Sequence, residues 1–260
     1  MEATGELAPK NLTETGRREI RHLLRSHDLE MCAVHCPLRF GLDVPDNLQQ
    51  RLDHIRDTMA LAFDLGPRLV IIQAGKVPPL PHSENARGGD GEIGRKGVVE
   101  PTGLPISPSP LLPSSSGEGS KSGHMQESLA DLGKHGDRTG TILALDTGLD
   151  SPETLVAFLD RFDTGSLAVN FNPANLVIAG CNAYDAVKTF RRRIAHVHAQ
   201  DARRVSPNRM ATVPLGHGDI DWMALLAHFE EIDYHGTLTV VGDGQRELTA
   251  AVAFLRRFVG

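Results

Sequence analysis

The chain has 260 residues, 40% of them apolar and 23% charged, with a formal net charge of −6 when histidine is counted neutral. That length can bury a sizeable core. The acidic balance argues against a surface built to neutralise a phosphate backbone, so no nucleic-acid partner is expected, and no apolar run approaches the roughly 20 residues needed to span a bilayer.

Met1 to Lys10 lacks the apolar stretch of a signal peptide. The three cysteines, Cys32, Cys36 and Cys181, are an odd and sparse set. A cytoplasmic protein with buried free thiols is the expectation. Cys32 and Cys36, four apart, share a face if their segment is a strand.

Thr13 caps a predicted helix to about His27, with Ile20, Leu23 and Leu24 at helical spacing. Leu29 to Cys36 reads as a buried strand. Asp46 and Gln49 have the spacing of a capping box, and Leu48, Leu52, Ile55, Met59 and Ala62 form one helical stripe, ended by Gly66. Leu69 to Gln73 is the next strand.

From 77 to 123 the pattern stops. Pro78, Pro79, Pro81, Pro101, Pro105, Pro108, Pro110 and Pro113 stand among glycines and serines. Too few apolar residues are present to offset the entropy of ordering this stretch, so a disordered insertion is expected.

A helix from Met125 to Gly136 follows, then the strand Ile142 to Asp146. Ser151 and Pro152 are an N-cap and N1 pair opening a helix to Phe162. Leu167 to Phe171 is a strand, Ala183 to Arg192 a helix, and Ile194 to His198 a strand. Asp219 or Asp221 caps a helix through Ile232. Thr237 to Val241 is a strand, and Arg246 to Phe258 closes the chain as a helix. A further strand is expected near Thr212 and Val213.

This alternation, and a length usual for one barrel, predict a single α/β domain over 1–260, a (β/α)8 TIM barrel. Its first strand is incomplete or missing, because only Met1 to Pro9 precedes the first helix. Glu2 to Glu6 forms a stub there, or the barrel has a gap.

In such barrels the active site lies at the C-terminal ends of the strands. The polar residues there are Gln73, Asp146, Asn170, Asn172, Asn175, His196, His198, Asp201 and Asp243, with His217 in a Gly-His-Gly loop. His196 and His198 share a face. Only His198 reaches the mouth; His196 alternatively is a buried histidine bonded to backbone. Asp201, just past the strand, is placed to orient an imidazole. Asp146 ends an apolar strand, where an acid must be solvated, paired or metal-bound. Arg203, Arg204 and Arg209 could meet an anionic group or form a solvated loop.

Three segments, "RIAHVHAQDA" (Arg193 to Ala202), "VPLGHGDIDW" (Val213 to Trp222) and "LALDTG" (Leu143 to Gly148), resemble the xylose-isomerase-like TIM barrels. That superfamily includes sugar phosphate isomerases and epimerases and endonuclease-IV-type proteins. "ALAFDLGPRLVIIQAG" (Ala60 to Gly75) and "YHGTLTVVGDG" (Tyr234 to Gly244) support the resemblance, which runs from about Leu12 to Phe258. It implies one divalent cation, often Mn²⁺, on two Glu, an Asp and a His, with two carboxylates moving a proton on a small carbohydrate through an enediolate.

By the resemblance, the metal positions are Asp146, Asn172 and His198, and the catalytic residues are Asp146 and Asp243. Gln73, Asn175, His196, Arg203 and His217 are the substrate-binding candidates. Asn172 stands where the family has Asp, Val241 where it has the final Glu, and Asn175 where many members have His.

Two readings follow. One is a metal-dependent isomerase or epimerase, completed by Asp243 or water. The other is a degenerate barrel that binds a ligand or partner without isomerising it and needs no metal. A nuclease would need a richer ligand set. An oligomer that covers the gap at the first strand is compatible with either reading.

Overall fold

Short apolar runs bounded by turn residues form the strands, and a computed structural model describes residues 1–78, 118–207, 209–242 and 244–258. The strands in chain order are β1 (Val34–His35), β2 (Leu69–Ile72), β3 (Ile142–Asp146), β4 (Leu167–Phe171), β5 (Ile194–Ala199), β6 (Asp201–Ser206), β7 (Arg209–Val213) and β8 (Leu238–Val240). Six of them, in the order β1-β2-β3-β4-β5-β8, make one parallel sheet that curls as a half-barrel. Parallel strands need crossovers, and helices supply them.

The helices are α1 (Glu14–Ser26), α2 (Leu48–Leu65), α3 (Glu118–Thr139), α4 (Pro152–Leu159), α5 (Pro173–Ile178), α6 (Ala183–Phe190), α7 (Trp222–Glu231) and α8 (Gln245–Leu255). None among the described residues is long and apolar enough to cross a membrane.

Strand alternation sorts the core into two parts. Val70, Ile72, Leu143, Leu145, Val169, Phe171 and Val197 face outward against helix residues such as Ile55, Met59, Leu129, Phe158 and Phe229. Phe171 meets Phe190 and Phe229 edge-on, with ring centroids 6.2 and 5.3 Å apart. A small inner cluster, Leu69, Ile71, Ala33 and Ala144, plugs the bottom of the barrel. Above it the inward positions turn polar.

Helix ends explain the element boundaries. Thr13 accepts from Gly16 N at 3.2 Å, Ser151 from Thr154 N at 3.2 Å, and Asp221, not Asp219, from Ala224 N at 3.1 Å. Gly66, at φ +110°, ends α2. The capping box at Asp46 and Gln49 does not form. Asn47 is left-handed with no side-chain cap, Gln49 donates to Asp53, and the Arg51 guanidinium takes the Asp46 and Val44 carbonyls.

Other expectations shift. The strand expected over Leu29 to Cys36 shortens to Val34–His35, and Cys32 is exposed while Cys36 is buried. The first strand is a stub: Glu2 makes an isolated parallel bridge to His35, and Gly5–Leu7 is a 3-10 turn. The strand near Thr212 exists, but it pairs antiparallel with β6 outside the barrel sheet. Of the insertion expected over 77–123, residues 79–117 lie outside the described residues, and α3 begins at Glu118, before the expected Met125.

A polar cavity at the strand ends

The inward positions of β2 to β5 carry the site. Register places Asp146 beside Asn170, Asn170 beside His196, and His198 beside Thr239. Above these residues opens a cavity of about 530 Å³. Gln73, Asp146, Asn172, Asn175, His198 and Gln200 line it with polar groups, Met1, Glu2 and His35 stand at its edge, and Pro37, Leu38 and Val241 add apolar wall.

The sequence therefore brought Gln73, Asp146, Asn172, Asn175 and His198 to one place. It did not bring the others. His196 lies beneath the cavity, 1% exposed, bonded to side chains and not to backbone. Arg203 is exposed on the β6–β7 hairpin, and His217 is exposed in its loop; neither lines this cavity. Asp243 falls outside the described residues.

Asp201 also departs from expectation. It is fully buried and accepts from Gly216 N and Gly218 N, each at 3.1 Å, and from Trp222 Nε1 at 3.3 Å. It anchors the Gly-His-Gly loop and does not orient His198.

One hydrogen-bond chain runs under the site. Thr239 Oγ1 lies 2.8 Å from His196 Nε2, and His196 Nδ1 lies 2.7 Å from Asn170 Oδ1. Asn170 Nδ2 then reaches Asp146 Oδ1 at 2.7 Å and His198 Nδ1 at 2.9 Å. Asn170 is fully buried. Asn175 Nδ2 donates to Asp146 Oδ2 at 3.2 Å.

Burial pushes the Asp146 carboxyl up to about 6, against the pull of its amide and backbone donors. Burial, with repulsion from neighbouring cationic groups, pushes both His196 and His198 down to about 4. Both rings are neutral at pH 7.

The turn after β4 is itself part of the site. Asn172 caps α5 through Oδ1, accepting from Asn175 N at 3.2 Å, and its Nδ2 donates to Gln200 Oε1 at 3.0 Å. Its backbone N donates to Thr147 Oγ1 at 2.9 Å. The sequence read Asn172-Pro173 as a turn; Pro at N1 with an Asn cap opens a short helix instead.

The donor set fits a hard dication poorly. The oxygens of Asp146 are taken by amides, the Asn172 carbonyl oxygen caps α5, and Val241 offers no donor. Among the described residues no group of three or more His, Cys, Asp or Glu is arranged to hold a metal ion. Divalent sites of this kind need several anionic oxygens.

Gln200 and Thr239 were missed from the sequence. The signal was available for both: Gln200 continues the alternation of His196 and His198, and Thr239 lies inside the last expected strand.

A half-barrel with its polar residues gathered around a cavity at the C-terminal strand ends defines the class, a TIM-barrel fold. The chain belongs to the xylose isomerase-like TIM barrel family, whose pattern it matches over residues 1–258. Solved structures are similar in fold. A xylose isomerase domain protein from Planctomyces limnophilus is 19% identical, with a TM-score of 0.76, covering 96% of this chain and 85% of that one.

A D-tagatose 3-epimerase-like protein is 17% identical, with a TM-score of 0.73 and coverage of 99% and 86%. A xylose isomerase-like TIM barrel protein from Mycobacterium smegmatis in complex with magnesium is 16% identical, with a TM-score of 0.65 and coverage of 95% and 79%. No curated protein sequence matches this chain.

Proposed function

We propose that this protein binds a small polyhydroxylated carbohydrate at the barrel mouth and does so without a resident metal. The observation that carries this reading is the convergence of Gln73, Asp146, Asn172, Asn175, His198 and Gln200 on one cavity. Side-chain amides offer donors and acceptors together, which suits hydroxyl groups that do the same. Asp146 supplies one strong acceptor, and Val241 with Leu38 offers apolar surface for C–H faces.

Similar structures described as sugar 3-epimerases support the substrate class. They also support a second reading, metal-assisted proton transfer through an enediolate. The donor set described above speaks against that reading: Asp146 has both oxygens engaged by amides and Glu2 at the rim lies against His35, which makes a poor platform for a cation and a second base.

Isothermal titration with D-tagatose and D-fructose in EDTA tests the proposal. Saturable binding is expected with chelator present. Asp146→Ala should weaken it by on the order of tenfold or more, the cost of losing a charge-assisted hydrogen bond. No binding of either ketose at millimolar concentration overturns the carbohydrate reading. Mn²⁺-dependent conversion at C3, abolished by EDTA, overturns the metal-free reading.

A further inference from the structure

We infer that Asn170 is a positioning residue that fixes the His198 ring as a hydrogen-bond donor toward the cavity and denies both of its nitrogens to a metal ion. This inference deepens the carbohydrate reading and rests on it for the identity of the ligand, but its test needs no ligand.

Donors and acceptors around Asn170 fix its orientation. Asp146 receives side-chain N–H groups at both oxygens, from Asn170 at 2.7 Å and Asn175 at 3.2 Å. Gln73 and the Thr147 backbone also favour its charged form. A carboxylate so surrounded can only accept. The Asn170 atom facing it is therefore the amide nitrogen. An amide orientation is assigned from such a network.

The rest follows without choice. The second hydrogen of that same nitrogen points at His198 Nδ1, 2.9 Å away, so Nδ1 must be the bare, accepting nitrogen. Neutral imidazole carries its one proton on the other atom, Nε2. On the far side, Asn170 Oδ1 accepts from His196 Nδ1–H at 2.7 Å, and His196 Nε2 accepts from the Thr239 hydroxyl at 2.8 Å. Every member of the chain is satisfied in this one arrangement. Reversing it would turn the Asn170 oxygen toward the Asp146 carboxylate.

The consequence concerns selectivity. His198 lines the cavity with one nitrogen filled by Asn170 and the other protonated. It presents an N–H to an acceptor oxygen of the ligand, a carbonyl or hydroxyl oxygen of the sugar, and no lone pair to a cation. Usual metal-binding histidines show the opposite polarity: the nitrogen away from the metal donates to a carboxylate or carbonyl. A buried amide donor in that place inverts the ring.

The experiment is two-bond ¹H–¹⁵N correlation NMR on protein labelled with ¹⁵N-histidine, in EDTA at pH 7. The expected pattern for His198 is a protonated Nε2 and a bare Nδ1. Adding Mg²⁺ should leave the shifts unchanged, and adding Mn²⁺ should leave the signals unbroadened. A bare Nε2, a doubly protonated ring, or a wild-type His198 signal that shifts or broadens with metal overturns the inference.

Asn170→Asp combined with Asp146→Asn supplies the converse; the single change would set two carboxylates 2.7 Å apart to share a proton. The new carboxylate can only accept from His198, so the bare nitrogen should move to Nε2. Mn²⁺ affinity should then rise by on the order of tenfold or more. A folded variant whose His198 keeps a protonated Nε2 overturns the role of Asn170. If the variant does not fold, the wild-type spectrum still decides. Sugar binding that fails while the tautomer stands would sink only the carbohydrate reading.

Discussion

Replacing Asp201 with Ala removes an acceptor that takes the Ala202 N–H at 2.9 Å and is, among the described residues, the only acceptor seen for three further N–H groups. These are the backbone N–H of Gly216 and Gly218 and the indole N–H of Trp222. Asp201 is fully buried and Trp222 is 2% exposed, so water replaces the carboxylate poorly at the indole, though more readily at the exposed Gly216. Each orphaned donor costs about 1–3 kcal/mol. With partial relaxation of the loop, a total loss of about 3–5 kcal/mol is expected, the range seen when a buried charged contact loses one partner. That is a large share of the roughly 5–15 kcal/mol that holds a domain together.

Asp201→Asn keeps the volume and one acceptor oxygen but sets an amide N–H₂ against an N–H, so about half that loss is expected. Gly218→Ala should act in the same direction, because its Cβ would stand 1.8 Å from Asp201 Oδ1. Urea unfolding followed by the emission of Trp222, the only tryptophan, measures all three. A loss under about 1 kcal/mol for Asp201→Ala, with unchanged emission in the folded state, would refute the assignment of Asp201 as the anchor of the loop.

Two further outcomes follow from the buried groups. His196 and His198 are held down to about 4 by burial; their contribution to stability is complete above the unfolded value of about 6.5 and is lost as pH falls through 4. Asp146, held up to about 6, has the opposite sign: its contribution is complete below about 4 and is lost as pH rises through 6. Two imidazoles outweigh one carboxyl. Stability should therefore fall by on the order of 3 kcal/mol from pH 6.5 to 4, and His196→Gln should flatten that slope; a flat urea midpoint across this window contradicts the neutral pair. Gly148→Ala tests the cavity wall. Gly148 has φ +109°, and a Cβ would lie 2.5 Å from Asn175 Cβ, so a loss of about 1–3 kcal/mol and weaker binding of D-tagatose are expected; wild-type affinity would show that the position of Asn175 is immaterial.

Periodicity alone carried much of the fold. The stripe Leu52, Ile55, Met59 and Ala62 became the buried face of α2, and Leu69 to Ile72 became a strand buried on both faces. Such patterns are local, so they survive without knowledge of neighbours. The capping box at Asp46 failed for the same reason: its geometry depends on how the chain enters the helix, and a left-handed Asn47 with the Arg51 guanidinium on nearby carbonyls took that role.

What the sequence by itself determined was which residues sit on the inward face at the strand ends, because a two-residue period leaves no freedom there. Gln73, Asp146, Asn172 and His198 were legible on that basis, whereas Asn172 and Val241 stood out as replacements for acids only by the family resemblance. Tertiary structure decided what those residues do to one another. Asp201 turned from a partner of His198 into the anchor of a loop more than ten positions away, and Arg203 left the cavity because β6 and β7 pair as a hairpin instead of joining the barrel. The polarity of His198 was set by register, which puts a buried amide nitrogen within 3 Å of both its ring and Asp146. A proton's position depends on distances of that order between residues far apart in the chain, and no sequence pattern encodes them.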